Sequence, residues 1–510
     1  MDMDTLDRTE WDVVISGTGL PQSLLALALS RSGKNILHLD RNDYYGGNEA
    51  ALSLSEAEEW ASKHGGSAED ATSTLRHASI VRPDVDETTE KRLGFSRAYS
   101  LALAPQLIYT RSNLLPALVS SRTHSQLDFQ AVGSWFTVDA QVDGPDFQPK
   151  LAKVPTGRED VFQDNTLNLR AKRSLMKFLR FVGGYDDETE SQRWNEVKDK
   201  MVAWSLQEQF GIADAPIAPL LALALTSEAS VDTSMEQAVP RIARHLRSTG
   251  LFGPGFSAVL PKWGGLAEIA QVACRACAVG GGVYVLNKAI TTANITGNGD
   301  MSVELSDGET ITTKWLVGYP VELPSPDKPS PPDKTAASTI TKSISVVSSS
   351  LSSLFPPTSE GGVTPAGAVV VVDLGGASYP PVHILIHSSE SGECPAGQCV
   401  LYASVTVADG FASLDRAVHS LLYSLREERV PDVLWKMQFV QHTRDALAMP
   451  ERGGSEEGGN IITLPPLSTD VVLDDSVLNN VKIAWAKITG EVEEVFMKFE
   501  AREGVVDDDE

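Results

Sequence analysis

The sequence predicts an α/β fold with a three-layer core of sheet and helices and a mainly helical segment inserted into it, on three observations. An apolar run, Val13, Val14 and Ile15, leads into Gly17 and Gly19. A strand that ends on a glycine-rich turn and opens a helix is the layout of a dinucleotide-binding unit. A second strand-like run from Asn35 to Leu39 ends on Asp40. That is near the spacing, roughly 20 residues on, of the acid that takes a ribose hydroxyl in such units. After Val154 the pattern changes, and apolar residues recur every three or four positions, the period of helices with one buried stripe.

The glycine fingerprint is incomplete. Its first glycine makes the tight turn, its second lets pyrophosphate approach the backbone, and its third lets the helix pack on the strand. Here Gln22 holds the third slot and Pro21 precedes it. The scaffold therefore reads as nucleotide-binding, while its cradle reads as crowded. Asp40 then opens Asp40-Arg41-Asn42-Asp43-Tyr44-Tyr45-Gly46-Gly47, an acid followed by a glycine pair as in flavin-binding oxidases.

Composition sets outer bounds. A chain of 510 residues has room for two or three domains, one of them discontinuous. The apolar share of 42% is that of a globular protein, and no run of about 18 apolar residues is present to span a bilayer. A net charge of −25 argues against nucleic acid, whose phosphates need a basic surface. Met1 to Asp7 is acidic, unlike a signal peptide, so a cytoplasmic location is expected. Cys274 with Cys277 and Cys394 with Cys399 form two close pairs that could offer four thiolates to zinc. The first pair falls in an Ala-rich run that reads as helix, where a small buried thiol is ordinary filling. No metal is expected.

Residues from about 53 to 92 and from 324 to 364 are rich in Ser, Pro, Glu, Asp and Thr, and are expected as disordered insertions. Strands are predicted around 129–138, 368–373 and 383–387. A helix is predicted after the capping pair Ser112 and Asn113, and a last one over Ser476 to Ile488. In the helical stretch, Asp164, Asn165 and Thr166 offer capping oxygens. Leu167, Ala171, Leu175, Phe178, Leu179 and Val182 form the buried stripe, with Lys172, Arg173, Lys177 and Arg180 on solvated faces. Ile217 to Leu225, with Leu221 inside it, is apolar on every side and alternates Leu with Ala, which leaves room for an apolar pocket. A helix from Leu266 to Val279 follows a Gly-rich turn, and Glu268 and Arg275 lie two turns apart on it, on one side. The expected domains are an α/β platform from 1–150 and 251–510, a helical domain over 151–250, and an acidic tail from 500 to 510.

These pieces resemble one family, the Rab escort proteins, siblings of the Rab GDP-dissociation inhibitors. The matching stretches are Gly17 to Ser23, Ser30-Arg31-Ser32-Gly33, Asp40 to Asn48, Val154-Pro155 with Asp160-Val161-Phe162, Lys172 to Leu179, and Trp263 to Tyr284. Leu20-Pro21 and Leu175-Met176-Lys177-Phe178-Leu179 are similar to the escort branch, and the insertions and acidic end to its fungal members. The resemblance implies a flavin-oxidase-like domain that has lost flavin and serves as a binding platform, with an inserted helical domain for the isoprenoid. It places the grip on the GDP form of a Rab GTPase at Arg41, Tyr45, Trp263, Glu268 and Arg275. Trp263 replaces the usual tyrosine, and one residue is inserted between it and Glu268. It places the Rab C-terminal tail on an apolar helix over Leu107 to Val119, through Leu107, Ile108, Leu114, Leu115 and Leu118. The lipid pocket falls to Leu175, Phe178, Leu179, Phe210, Leu221 and Leu225. The implied partners are Rab, the heterodimeric geranylgeranyl transferase and, transiently, a membrane. No distinctive motif marks the transferase contact, although Phe210 and Arg241 to Arg244 lie in the right domain.

Two alternatives stand beside this reading. One is a Rab GDP-dissociation inhibitor. The other is an FAD-dependent oxidoreductase, against which weigh Gln22, the absence of a late Gly-Asp element near Ile461 to Pro466, and the lack of His, Cys or paired carboxylates in a catalytic context. No cofactor and no catalytic residue are expected, and His383 and His387, alternating with Ile, read as structural.

Overall fold

A computed structural model describes residues 6–66, 74–82, 93–141, 148–155, 168–212, 217–296, 299–324, 337–358, 361–444 and 460–500. The first sheet is built on β1 (Glu10–Ser16), whose Val13, Val14 and Ile15 are fully buried. β1 pairs in parallel with β2 (Ile36–Leu39) and with β13 (Thr310–Gly318). β10 (Val283–Val285) extends the β2 side in parallel, while β12 (Met301–Leu305) and β11 (Ile290–Ile295) add antiparallel strands beyond β13. The outer edge of β13 is shared, since β12 takes Thr310 to Thr313 and β19 (Asn460–Thr463) takes Trp315 to Gly318 in parallel. Every residue of α1 (Leu20–Leu29) is buried. Its Leu and Ala side chains pack against α9 (Leu266–Val279) and α11 (Ser476–Thr489). Pro21 is tolerated in its first turn because the N–H it lacks has no helical acceptor there.

The second sheet has ten strands. β4 (Leu75–Val81), β18 (Val433–Arg444), β14 (Ala337–Val347), β17 (Cys399–Val405), β16 (Val382–Ser388), β15 (Gly367–Asp373), β7 (Phe129–Asp139), β9 (Ala258–Pro261) and β6 (Ile108–Tyr109) follow one another across it, and β8 (Lys150–Lys153) pairs with β7. A short ribbon, β3 (Ala51–Leu52) with β5 (Leu101–Ala102), stands apart from both sheets. α10 (Phe411–Ser424) covers one face of the second sheet through Leu414, Ala417 and Leu421. Over the other lie α4 (Leu169–Gly183), α5 (Ser191–Val197), α6 (Val202–Glu208), α7 (Ile217–Ala224) and α8 (Met235–Ser248). Phe178, Phe181 and Phe210 of this helical layer belong to one continuous core with Trp135, Leu385, Tyr402, Trp435 and Phe439 of the sheet.

Two expectations are corrected. Within 53–92, α2 (Leu54–His64) is an ordered helix with a capping box, Ser53 taking the Glu56 N–H and Glu56 the Ser53 N–H, and β4 is an edge strand of the second sheet. Within 324–364, β14 lies between β17 and β18 in the middle of the same sheet. Its Ile340, Ile344 and Val346 are buried on one side and Val347 on the other, so the Ser and Thr between them supply β-branched and small fillers rather than disorder. The caps expected at 164–166 and the acidic end beyond 500 lie outside the described residues. Asn168 caps α4, its side chain accepting the Ala171 N–H at 2.9 Å.

A segment from Leu464 to Asp475 runs between the platform and the helical layer. It is fastened to α8 by Arg241–Asp470 at 2.7 Å and Arg244–Asp475 at 3.3 Å, and it bridges Leu107 through Val472. Arg241 and Arg244, noted in the sequence for their place in the helical region, are thus committed within the chain.

Candidate functional site

The turn after β1 is where a dinucleotide-binding unit presents its backbone amides and the positive end of α1 to a diphosphate. In this chain two carboxyl groups fill that place. Glu322 lies directly over Gly17, which takes φ of +87° to make the turn, so that a Cβ at Gly17 would overlap the carboxyl group. Glu322 accepts the Tyr319 N–H at 3.1 Å and the Gln22 amide at 3.0 Å. Glu49 accepts the Leu20 N–H, at the head of α1, at 3.1 Å and stands against Gly19. The helix end is therefore satisfied from inside the molecule. Burial pushes the Glu322 carboxyl up to about 8 and that of Glu49 up to about 7. A diphosphate laid on this turn would overlap one carboxyl group and abut the other, so the residues present do not fit a dinucleotide.

Asp40, in the ribose position, is equally committed. One of its oxygens accepts the Thr18 N–H at 2.8 Å and the Thr18 hydroxyl at 2.5 Å. The other accepts the backbone and side-chain N–H groups of Asn42 at 2.8 and 2.9 Å. Arg41 is exposed and donates to the Val321 carbonyl, which holds in place the loop that carries Glu322.

Tyr45 reaches the other way. Its hydroxyl lies 2.6 Å from the Ser23 hydroxyl of α1 and donates to the Ala270 carbonyl of α9 at 3.3 Å. It is a pin between two helices with only part of its ring at the surface. Its neighbour Cys274 shares α9 with Cys277, and both thiols lie beside the Tyr284 hydroxyl. The other cysteine pair flanks the start of β17, Cys394 donating to the Gln398 carbonyl at 3.4 Å and Cys399 opening the strand. Among the described residues no three His, Cys, Asp or Glu side chains converge as metal ligands.

α9 carries Glu268 in its first turn and Arg275 further along. Glu268 is half-buried, which raises its carboxyl, and the Arg275 charge opposes that rise. Arg275 is exposed and reaches the Gln126 side chain at 3.5 Å. Trp263, three residues ahead of the helix, keeps φ of +62° and exposes half of its indole. The corner is held by the Trp263 N–H on the Ser391 carbonyl at 2.9 Å and by the Ser100 hydroxyl on the Trp263 carbonyl at 2.7 Å. Its ring lies against Gly392, where a Cβ would strike it.

The expected apolar helix over Leu107 to Val119 is corrected. Leu107 and Ile108 belong to β6 and its approach, and only Leu114–Ser120 is helical, α3. Leu107, Ile108, Leu114, Leu115 and Leu118 are all buried, while Val119 faces solvent. The residues expected to line a lipid pocket are likewise packed. The Phe178 and Phe210 rings meet edge to face at 5.0 Å, and the Arg193 guanidinium caps Phe210 at 4.4 Å. Leu175 and Leu225 are buried, and Leu179 and Leu221 are partly buried against the same core.

The sequence description of the GDI family, GDP dissociation inhibitor, matches residues 6–353. The chain belongs to the GDP dissociation inhibitor family. Within it, a similar protein is the Rab proteins geranylgeranyltransferase component A of Saccharomyces cerevisiae, 29% identical over 79% of this chain and 63% of that one. The chain thus spans less than two thirds of that relative's length. Among solved structures, Rab GDI from Plasmodium falciparum aligns over 94% of this chain and 98% of its own at a TM-score of 0.62 and 19% identity. An oxidoreductase from Methanosarcina mazei aligns over 94% and 100% at 0.54 and 13%. These two likenesses establish the fold, an α/β dinucleotide-binding-like architecture that GDI family members share with oxidoreductases.

Sequence reasoning found Gly17, Gly19, Gln22 and Asp40 at the turn of this GDI family chain but missed Glu49 and Glu322. The first follows the glycine pair at 46–47, and an acid at that place, two residues past Gly47, was a usable signal. The second stands 300 residues beyond Gln22, and no local pattern marks it.

Proposed function

We propose that this protein is a Rab escort protein. It binds newly made Rab in its GDP form, presents it to the heterodimeric geranylgeranyl transferase, shields the attached lipid and releases Rab at a membrane. It is an accessory component rather than an enzyme, and FAD has no place in it. The observation that carries this reading is the filled turn. A dinucleotide fold whose diphosphate cradle is stoppered by Glu322 and Glu49 retains the scaffold and forgoes the cofactor. The relatives named geranylgeranyltransferase component A, in Saccharomyces cerevisiae and Candida albicans, support the escort branch in particular.

The physics of such a carrier follows from burial. A geranylgeranyl chain has about 20 carbons, and burial is worth about 0.8 kcal/mol per CH₂, so free exposure of the chain to water is strongly opposed. An apolar helical layer can hold it until a bilayer gives equal shelter. Because that layer is closed by Phe178, Phe181 and Phe210, lipid entry requires these helices to part. Release must then be governed by the protein-protein contact, which discriminates the nucleotide state of Rab. No helix among the described residues is long and apolar enough to cross a membrane, and membrane contact in this reading is transient.

Reconstitution tests the reading directly. Rab, transferase and labelled lipid are combined with and without this protein, and transfer to Rab is expected only when it is present. Equal transfer in both mixtures, with extraction of already prenylated Rab retained, would assign the protein to the inhibitor branch instead. The platform residues have their own test. Arg275→Ala removes an exposed guanidinium and is expected to weaken Rab binding about tenfold, with an unchanged unfolding midpoint. Tyr45 calls for Phe rather than Ala, because its ring and hydroxyl pack between α1 and α9. Unaltered affinity in both Arg275→Ala and Trp263→Ala would remove the platform from α9.

A further inference from the structure

We propose that Lys342 forms a binding site for a small monovalent anion, of halide size, in the cavity between the second sheet and the loops at 103–105 and 469–471. Lys342 lies in the middle of β14, paired with Phe439 on one side and Ser404 on the other. Its side chain leaves the sheet on the same face as Ile344 and Phe439. It is nine-tenths buried, and among the described residues its amine makes neither a hydrogen bond nor an ion pair. The larger part of the cavity wall is Leu103, Leu385, Tyr402, Phe439 and Val471, with Ser343, Ser404, Thr469 and Asp470 as its polar part. An unpaired ammonium enclosed by such walls is strongly disfavoured unless a counter-charge joins it or its proton leaves.

No described acid lies within ion-pair distance of the Lys342 amine. Glu49 is near enough for its charge to act on Lys342, but burial raises its carboxyl to about 7, so that charge is incomplete at neutral pH and below. Asp470, in the cavity wall, is paired with Arg241 at 2.7 Å. The Tyr402 hydroxyl donates to Glu393 at 2.7 Å, and burial keeps His383 neutral, its pKa lowered to about 4. Lys342 is therefore the cation available to an incoming anion, and the apolar walls admit a weakly hydrated one. Burial also lowers the Lys342 amine to about 8, so the vacant site loses its charge in mildly alkaline solution and anion affinity falls with it. Bound there, the anion would tie the sheet to the 469–471 segment and, through Asp470, to α8.

Bromide is the probe, because its anomalous scattering locates it. Crystals of the full chain soaked in bromide at pH 6.5 are expected to show an anomalous peak beside the Lys342 amine, and Lys342→Met crystals none. In solution, bromide is expected to raise the unfolding midpoint relative to gluconate at equal ionic strength, with affinity falling about tenfold between pH 7 and pH 9. If Lys342→Met does not fold, the pH series on the unaltered chain decides alone. A peak that persists without the amine, a Glu49 carboxylate swung into contact with Lys342, or a bromide effect independent of pH overturns the proposal.

Discussion

Replacing Glu322 by Gln should stabilise the protein in alkaline buffer, by on the order of 3 kcal/mol at pH 9, and leave it almost unchanged at pH 5. The sign follows from proton binding. Glu322 in the folded chain titrates at about 8, against 4.5 for an unperturbed glutamate, so the native state holds a proton that the unfolded chain gives up. Its contribution to stability is fully present below about pH 4.5 and is lost as pH rises through about 8. Glu49 behaves alike, ending near 7. Lys342, lowered to about 8, works in the opposite sense above that pH, and comparison of variant with parent at each pH cancels it. The substitution fits the site. The Tyr319 N–H and the Gln22 amide both donate to one oxygen of Glu322, and the carbonyl oxygen of a glutamine can accept both in its place. Urea midpoints at pH 5, 7 and 9 measure the effect. Parallel profiles for parent and variant would mean that Glu322 is ionised throughout, and that a charged carboxylate, not a neutral acid, closes the turn.

Phe178→Ala should cost about 3–5 kcal/mol. The ring is fully buried, packs edge to face on Phe210, and lies in the core that joins the helical layer to the second sheet. Deleting it leaves a cavity that the neighbouring Phe181 and Val182 are too well held to fill. Because the core is continuous, the loss should move one cooperative transition, followed alike by far-UV circular dichroism and by Trp fluorescence. Two separated transitions, with only the helical residues affected, would mean that the helical layer unfolds independently of the second sheet.

Periodicity in the sequence recovers much of the scaffold. α9 falls on Leu266–Val279 and α11 on Ser476–Thr489, where the apolar spacing puts them, and β1, β2, β7, β15 and β16 lie where apolar runs are found. β14 is hidden by the polarity of its Ser and Thr, although Ile340, Ile344 and Val346 alternate as a buried strand requires. α2 is hidden for a similar reason, although Ser53 and Glu56 stand at capping-box spacing. The turn itself is legible as crowded, but the crowding agent is not. Gln22 points to a carboxylate rather than filling the cradle alone, and that carboxylate comes from just beyond β13. Nothing in the sequence near Tyr45 shows that its hydroxyl meets Ser23 and Ala270. Long-range pairs of this kind leave no trace in local spacing.

The interleaving of both sheets constrains how the polypeptide can be made. β13 gains its partner β19 only once residues near 460 exist, and α1, formed among the first thirty residues, is covered on one side by α11 near the last. A nascent chain leaving the ribosome therefore carries an apolar helix and a bare strand edge until residues 460–489 have been made. Termination anywhere between β13 and α11 should yield aggregates rather than a smaller soluble platform.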